Sequence, residues 1–161
     1  MKKIALIISD CQQSQEAAKK SLEDLGAELK ELKASEISEL QSKDFDALVL
    51  SGRMEADDAS VKSLIQNFHN DSSPIGAIGA APLFIVQALA EYGVAITIGN
   101  DKEVATELEK LGAQHVDCEV DDFITDRQNK VVTTPATMCK ANPEQISTGI
   151  QKAMAELYEM A

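Results

Sequence analysis

The chain has 161 residues, 27 acidic against 15 basic, and its formal net charge of −12 argues against a nucleic-acid or anionic-membrane partner. Both of those partners are held chiefly by Lys and Arg. Hydrophobic residues at 44% and charged residues at 26% are ordinary for a globular protein and exclude disorder as the main theme.

Residues 4–8 form a continuous apolar run closed by Ser9-Asp10, the pattern of a central parallel strand buried on both faces. Residues 14–25 follow as a helix, with Ala18, Leu22 and Leu25 on one face and Gly26 placed to end it. Residues 28–33 alternate Leu29 and Leu32 with charge, predicting a more exposed strand, and a short helix is predicted around 35–41. Residues 47–50 are a second buried strand ending at Ser51-Gly52-Arg53. Val61, Leu64, Ile65 and Phe68 then mark an amphipathic helix. Residues 74–78 read as a third core strand, running into Gly79-Ala80-Ala81-Pro82 and an apolar helix from about 83 to 90.

Residues 94–98 read as a fourth strand of the sheet, and Asp101 is placed to cap a helix that stops at Gly112. Phe123-Ile124-Thr125 and Val131-Val132-Thr133 flank Asp126-Arg127-Gln128-Asn129 as an antiparallel hairpin. A last helix from Pro143 carries Ile146, Ile150, Met154 and Leu157 on one stripe. Alternating strands and helices call for α/β architecture: a right-handed parallel sheet covered on both faces, here one domain over residues 1–161. Its core must be built from Ile, Leu, Val and Ala, because there is no Trp and aromatics are only 4%. Ligands of such sheets sit beyond the carboxyl ends of the strands. Ser9-Asp10-Cys11, Ser51-Gly52-Arg53, Gly79-Ala80 and Gly99-Asn100 all fall on that edge.

No run reaches the roughly 20 apolar residues that span a bilayer, and Met1-Lys2-Lys3 is followed by too short an apolar stretch for a signal peptide. Cys11, Cys118 and Cys139 are an odd, widely spaced set without a C-x-x-C pair, so reduced cytoplasmic thiols are expected rather than a disulfide or zinc site.

The sharp turn at Gly79 has the layout of a nucleophile elbow, in which a strand-to-helix turn aims a Ser or Cys over the sheet edge. Gly79 adopts such a backbone conformation without strain and has nothing to react with. Cys11 is either a substitute nucleophile at the same edge or an inert buried thiol. His115 is either a general base or a structural hydrogen-bonding group, and His69 sits in a polar stretch where a solvated side chain is expected. Arg53 either holds a carboxylate or phosphate bidentately or pairs with Glu55, Asp57 or Asp58. Asp121-Asp122 reads as a turn or cap, since no further ligands stand at metal spacing. Gly76-x-x-Gly79 is too short for a dinucleotide fingerprint, and Ser51 stands where a phosphoacceptor receiver would need Asp.

The segment Pro74-Ile75-Gly76-Ala77-Ile78-Gly79-Ala80-Ala81-Pro82 resembles the nucleophile segment P-[IL]-G-x-[IM]-C-I-A-P of the ThiJ/PfpI superfamily (class I glutamine amidotransferase-like). The similarity is to its ElbB-like branch, described as glyoxalase-like and linked to isoprenoid biosynthesis. It continues through Thr97-Ile98-Gly99-Asn100-Asp101-Lys102, Gln114-His115-Val116-Asp117-Cys118, Val120-Asp121-Asp122 and residues 129–136, and more weakly through Ser147-Thr148-Gly149-Ile150. In the first half, Ser9-Asp10-Cys11 resembles the family's S-G-C. Asp46-Ala47-Leu48-Val49 with Gly52 resembles its D-A-L-[IV]-x-P-G-G, with Arg53 in place of the second Gly. The family's Cys is Gly79 here, and the Glu that would hydrogen-bond it aligns to Ser14, with Glu16 the nearest carboxylate.

The resemblance implies a flavodoxin-like homodimer. The leading expectation is a divergent, catalytically inactive member that binds a small anionic or carbonyl ligand, or acts as a regulatory module, through Gly52, Arg53, Gly79 and Ala80. The alternative is a glyoxalase- or deglycase-like enzyme acting on small aldehydes such as methylglyoxal, with Cys11 as nucleophile and Glu16 as base. A third reading is a structural homodimer subunit. No cofactor or metal is expected.

Overall fold

The computed structural model describes residues 1–9, 12–52, 58–136 and 141–161. Apolar runs become strands and amphipathic stretches become helices, in the order β1 (Lys3–Ile8), α1 (Gln12–Asp24), β2 (Glu28–Lys33), β3 (Ala47–Ser51), α2 (Asp58–Asn70) and β4 (Ile75–Ile78). Then come α3 (Pro82–Ala88), β5 (Ala95–Ile96), α4 (Lys102–Lys110), β6 (Gln114–His115), β7 (Ile124–Asp126), β8 (Val131–Thr134) and α5 (Pro143–Met160). The short helix expected near residue 35 is a 3₁₀ helix, Ala34–Glu39.

The main sheet runs β2-β1-β3-β4-β8-β7, parallel from β2 to β8 with β7 antiparallel at its edge. Strand alternation sorts the side chains into two cores. Ala5, Ile7, Leu48, Leu50, Ile75 and Ala77 face α2 and α3, where Val61, Leu64, Ile65, Phe68, Phe84 and Ile85 meet them. Ile4, Leu6, Ala47, Val49, Ile78 and Val132 face α1 and α5, against Ala18, Leu22 and the stripe Ile146, Ile150, Met154 and Leu157. Helices on both faces of a mostly parallel sheet make this a flavodoxin-like α/β fold.

Helix α5 lies so close to the sheet that its middle must be glycine. A Cβ on Gly149 would stand 2.2 Å from the Val120 carbonyl oxygen and 3.0 Å from Thr134 Oγ1. The helix starts at Asn142, whose Oδ1 accepts from the Gln145 N–H at 2.9 Å, with Pro143 in the first turn.

The fourth strand differs from its expectation. β5 does not enter the main sheet; it pairs with β6 in a separate two-stranded parallel sheet, and β8 of the hairpin takes the place beside β4. The backbone around β5 is tied down by side chains. Ala95 N–H donates to Asp126 Oδ2 (2.9 Å), Thr97 N–H to Thr133 Oγ1 (3.0 Å) and Ile98 N–H to His115 Nε2 (3.2 Å). Burial opposes ionisation of Asp126, but hydrogen bonds from the side chain and backbone of Asn129, from Ala95 and from Gln128 outweigh it. They hold the carboxyl below its ordinary value. No helix of the described residues is long and apolar enough to cross a membrane.

Candidate functional site

The carboxyl ends of β1, β3 and β4 meet at one corner, and hydrogen bonds lace them together. Gly52 N–H donates to Ile78 O at 2.9 Å, and Gly79 N–H donates to Thr134 O at 3.0 Å. Ser9 Oγ donates to Ser51 O at 2.5 Å. The chain reverses at Gly79 with φ +71°, in the left-handed region that glycine enters freely, and passes through Ala80 and Ala81 into α3. Gly79 is buried and Ala80 half-buried.

This strand-to-helix turn has the backbone layout expected of a nucleophile elbow, with glycine at its apex. Its start of helix is also a weak anion cradle. α3 spans only seven residues, and Pro82 supplies no N–H. The N–H groups of Ala81, Leu83 and Phe84 turn back onto Ile78 O, Ala80 O and Ala81 O at 3.3, 3.3 and 3.0 Å.

The structure brings Gly52, Gly79 and Ala80 to this corner. Arg53 and Cys11 lie outside the described residues, as do Cys139, Glu55 and Asp57. Glu16 is exposed on α1. The buried polar residues of α1, among the described ones, are Ser14 and Gln15, at 1% and 9% exposure, and Gln15 Oε1 accepts from the Ser9 backbone N–H. Periodicity carried the signal for Gln15: with Ala18 and Leu22 it makes an i, i+3, i+7 stripe, which Glu16 leaves. Gly99 and Asn100 follow the small β5–β6 sheet, so they extend no strand of the main one.

Ser51 ends β3 at the edge where the sequence places it. It is fully buried, and its Oγ has no hydrogen-bond partner among the described residues.

The histidines are structurally engaged. His115 accepts the Ile98 N–H on Nε2, so Nδ1 carries the proton of the neutral ring, and it stands 3.7 Å from Asp117 Oδ1. His69 is half-buried rather than solvated. Its Nε2 lies 3.1 Å from Asn129 Oδ1, and its ring packs on Tyr92 with centroids 4.4 Å apart. Cys118 is buried, with Sγ donating to Glu119 O at 3.2 Å. Asp122 serves a turn: its Oδ1 accepts from Phe123 N–H at 2.9 Å, and its carbonyl accepts from Thr134 Oγ1 at 2.8 Å. Among the described residues no three His, Cys, Asp or Glu side chains form a metal-binding group.

Two hollows are lined by described residues other than Gly52, Gly79 and Ala80. One, of about 580 Å³, is against α4 between Lys102 and Glu107; the other, of about 320 Å³, separates Ile37 and Ser38 from Ser60, Ser63 and Leu64 of α2.

No protein-family model matches the chain. Over 128 residues it is 30% identical to human glutamine amidotransferase-like class 1 domain-containing protein 3, mitochondrial, and 28% identical to the ES1 protein homolog, mitochondrial, of Rattus norvegicus. Each match takes in 74% of this chain and 47% of the relative, so the chain spans about half the length of the curated relatives it matches. Among solved structures, it superposes on an isoprenoid biosynthesis protein with an amidotransferase-like domain from Ehrlichia chaffeensis with TM-score 0.90, covering 99% of each chain at 18% identity. DJ-1beta of Drosophila melanogaster gives TM-score 0.71 at 17% identity over 100% of this chain and 96% of that one. A ThiJ/PfpI domain protein from Brachyspira murdochii gives 0.72 at 14% over 99% and 98%. At these identities the structural likeness is one of fold.

Proposed function

Starting from a chain whose homologues and structural neighbours are glutamine amidotransferase-like, DJ-1/ThiJ/PfpI superfamily members, we propose that this protein is a non-catalytic small-molecule-binding module of that kind. Its ligand is a small carbonyl compound or carboxylate, held at the corner formed by Gly52, Gly79 and Ala80. Arg53, next along the chain from Gly52, supplies the positive charge for an anionic end.

One observation carries the reading. Gly79 keeps the left-handed turn, φ +71°, at the position where the resembling segment has Cys, yet puts no side chain over the sheet edge. The surrounding groups support it. Activation of a nucleophile needs an adjacent base, whereas His115 is committed to Ile98 and Glu16 is exposed.

The test is twofold. Methylglyoxal consumption is expected at the buffer rate, and pyruvate, which carries both a carbonyl and a carboxylate, is expected to raise the melting temperature. Turnover well above buffer that disappears in Cys11→Ser would replace this reading with the enzyme one. Absence of any thermal shift, from a chain that nonetheless sediments as a dimer, would favour a structural subunit.

A further inference from the structure

Buried polar atoms in folded proteins are nearly always hydrogen-bonded, so an unpaired hydroxyl requires an explanation. Two described side chains show one: Ser51 and Thr125. Thr125 sits on β7, the short outer strand of the hairpin, away from the corner described above. Ser51 sits in that corner. It is the last residue of β3, 0% exposed, in register with Ile78 and one step before Gly52.

Alternation fixes where its side chain goes. Leu48 and Leu50 face α2 and α3; Ala47 and Val49 face α1 and α5. Ser51 therefore falls on the α1 and α5 side, the side its register partner Ile78 shares. That is also the face over which α1 brings the buried Ser14 and Gln15. The polar groups around it are already committed. Ser51 O takes the Ser9 hydroxyl, Gln15 Oε1 takes the Ser9 N–H, Gly52 N–H goes to Ile78 O and Gly79 N–H goes to Thr134 O. Among the described residues the Ser51 hydroxyl is left over, in a wall where an alanine would bury at lower cost.

We propose that the Ser51 hydroxyl is a ligand-binding donor of this corner, giving its hydrogen bond to an oxygen of a small carbonyl or carboxylate compound. The proposal rests on the ligand-binding reading above and names the contact that reading lacked. A donor role fits better than a nucleophilic one. The imidazoles of His69 and His115 are bonded elsewhere, and Glu16 is exposed, so no base among the described residues stands ready to take the hydroxyl proton.

The test compares wild type with Ser51→Ala and Ser51→Cys, using pyruvate as the probe in thermal shift and isothermal titration. S51A is expected to melt higher than wild type without pyruvate, because it removes an unsatisfied buried hydroxyl. It is also expected to bind pyruvate about tenfold more weakly, the loss of one hydrogen bond. S51C keeps the shape with a weaker donor and is expected to fall between the two. Pyruvate binding that is equal in wild type and S51A would overturn the proposal and leave the ligand-binding reading standing; the hydroxyl would then serve an internal water. S51A melting below wild type would overturn it as well, by showing the hydroxyl to be satisfied. Failure of wild type itself to bind pyruvate would overturn both.

Discussion

At the scale of single residues, two glycines do opposite jobs. Gly79 is needed for its backbone conformation, since a left-handed residue with a Cβ costs roughly 1–2 kcal/mol. Gly79→Ala is therefore expected to lower the unfolding free energy by about that much in urea titrations, with the circular dichroism spectrum unchanged. Gly149 is needed for its missing volume. On helix propensity alone Gly149→Ala would gain about 1 kcal/mol. Its Cβ, however, would stand 2.2 Å from a backbone carbonyl, Val120 O, which has no rotamer to escape into. Overpacking costs of about 1–3 kcal/mol or more win, so G149A is expected to melt below wild type despite the better helix former. The Gly79 turn was legible because the strand, the turn residues and Pro82 stand in one short segment. Gln15 was less so, because its one signal is the stripe it shares with Ala18 and Leu22, and the neighbouring Glu16 carries the carboxylate that the chemistry would call for. The orphan hydroxyl of Ser51 was not legible, since pairing is a property of neighbours that no strand pattern reports.

At the scale of elements, the helices were readable wherever a stripe and a cap coincided. Ile146, Ile150, Met154 and Leu157 of α5 all turned out buried, beyond the Asn142–Pro143 start. The strand at residues 94–98 was readable as buried but not as to partner. An apolar run reports burial on both faces, and the neighbour is chosen elsewhere: β8 takes the place beside β4, and the side chains of Asp126 and Thr133 from the hairpin, with His115, bond the backbone of this segment instead. Asp126 joins the hairpin to β5, and this contact carries a pH dependence. Its carboxyl is held below the ordinary value of 3.8 in the folded chain, so its contribution is present above that value and lost as pH falls through the folded one. With the group only partly buried, Asp126→Ala is expected to cost about 1 kcal/mol at neutral pH. The gap from wild type, followed by urea melts, is expected to narrow as pH drops below the carboxylate range. A gap independent of pH would mean that packing, not charge, makes the contact.

At the scale of the whole molecule, the net charge of −12 pushes the surface against itself. Among the described residues attraction on the surface does little to offset this: Lys19–Glu31 and Lys110–Glu107 are exposed pairs at 3.4 Å, of a kind that contributes little. Screening should relieve repulsion more than it weakens attraction. The melting temperature is therefore expected to rise from low to physiological ionic strength, and a fall on adding salt would show that the attractive pairs dominate. The sheet order has a consequence of a different kind. β4 is completed by β8, with Ile75 beside Val131, and the Gly79 N–H finds its acceptor only at Thr134. Pairings this distant in the chain close late and slowly, because loop entropy is lost before contacts repay it. Any partly folded form without β8 thus has no finished turn at Gly79, and this corner is assembled in the step that completes the sheet. A ligand for that corner would meet the fully folded chain or nothing, and would report on global folding like a lock that turns only once the door is shut.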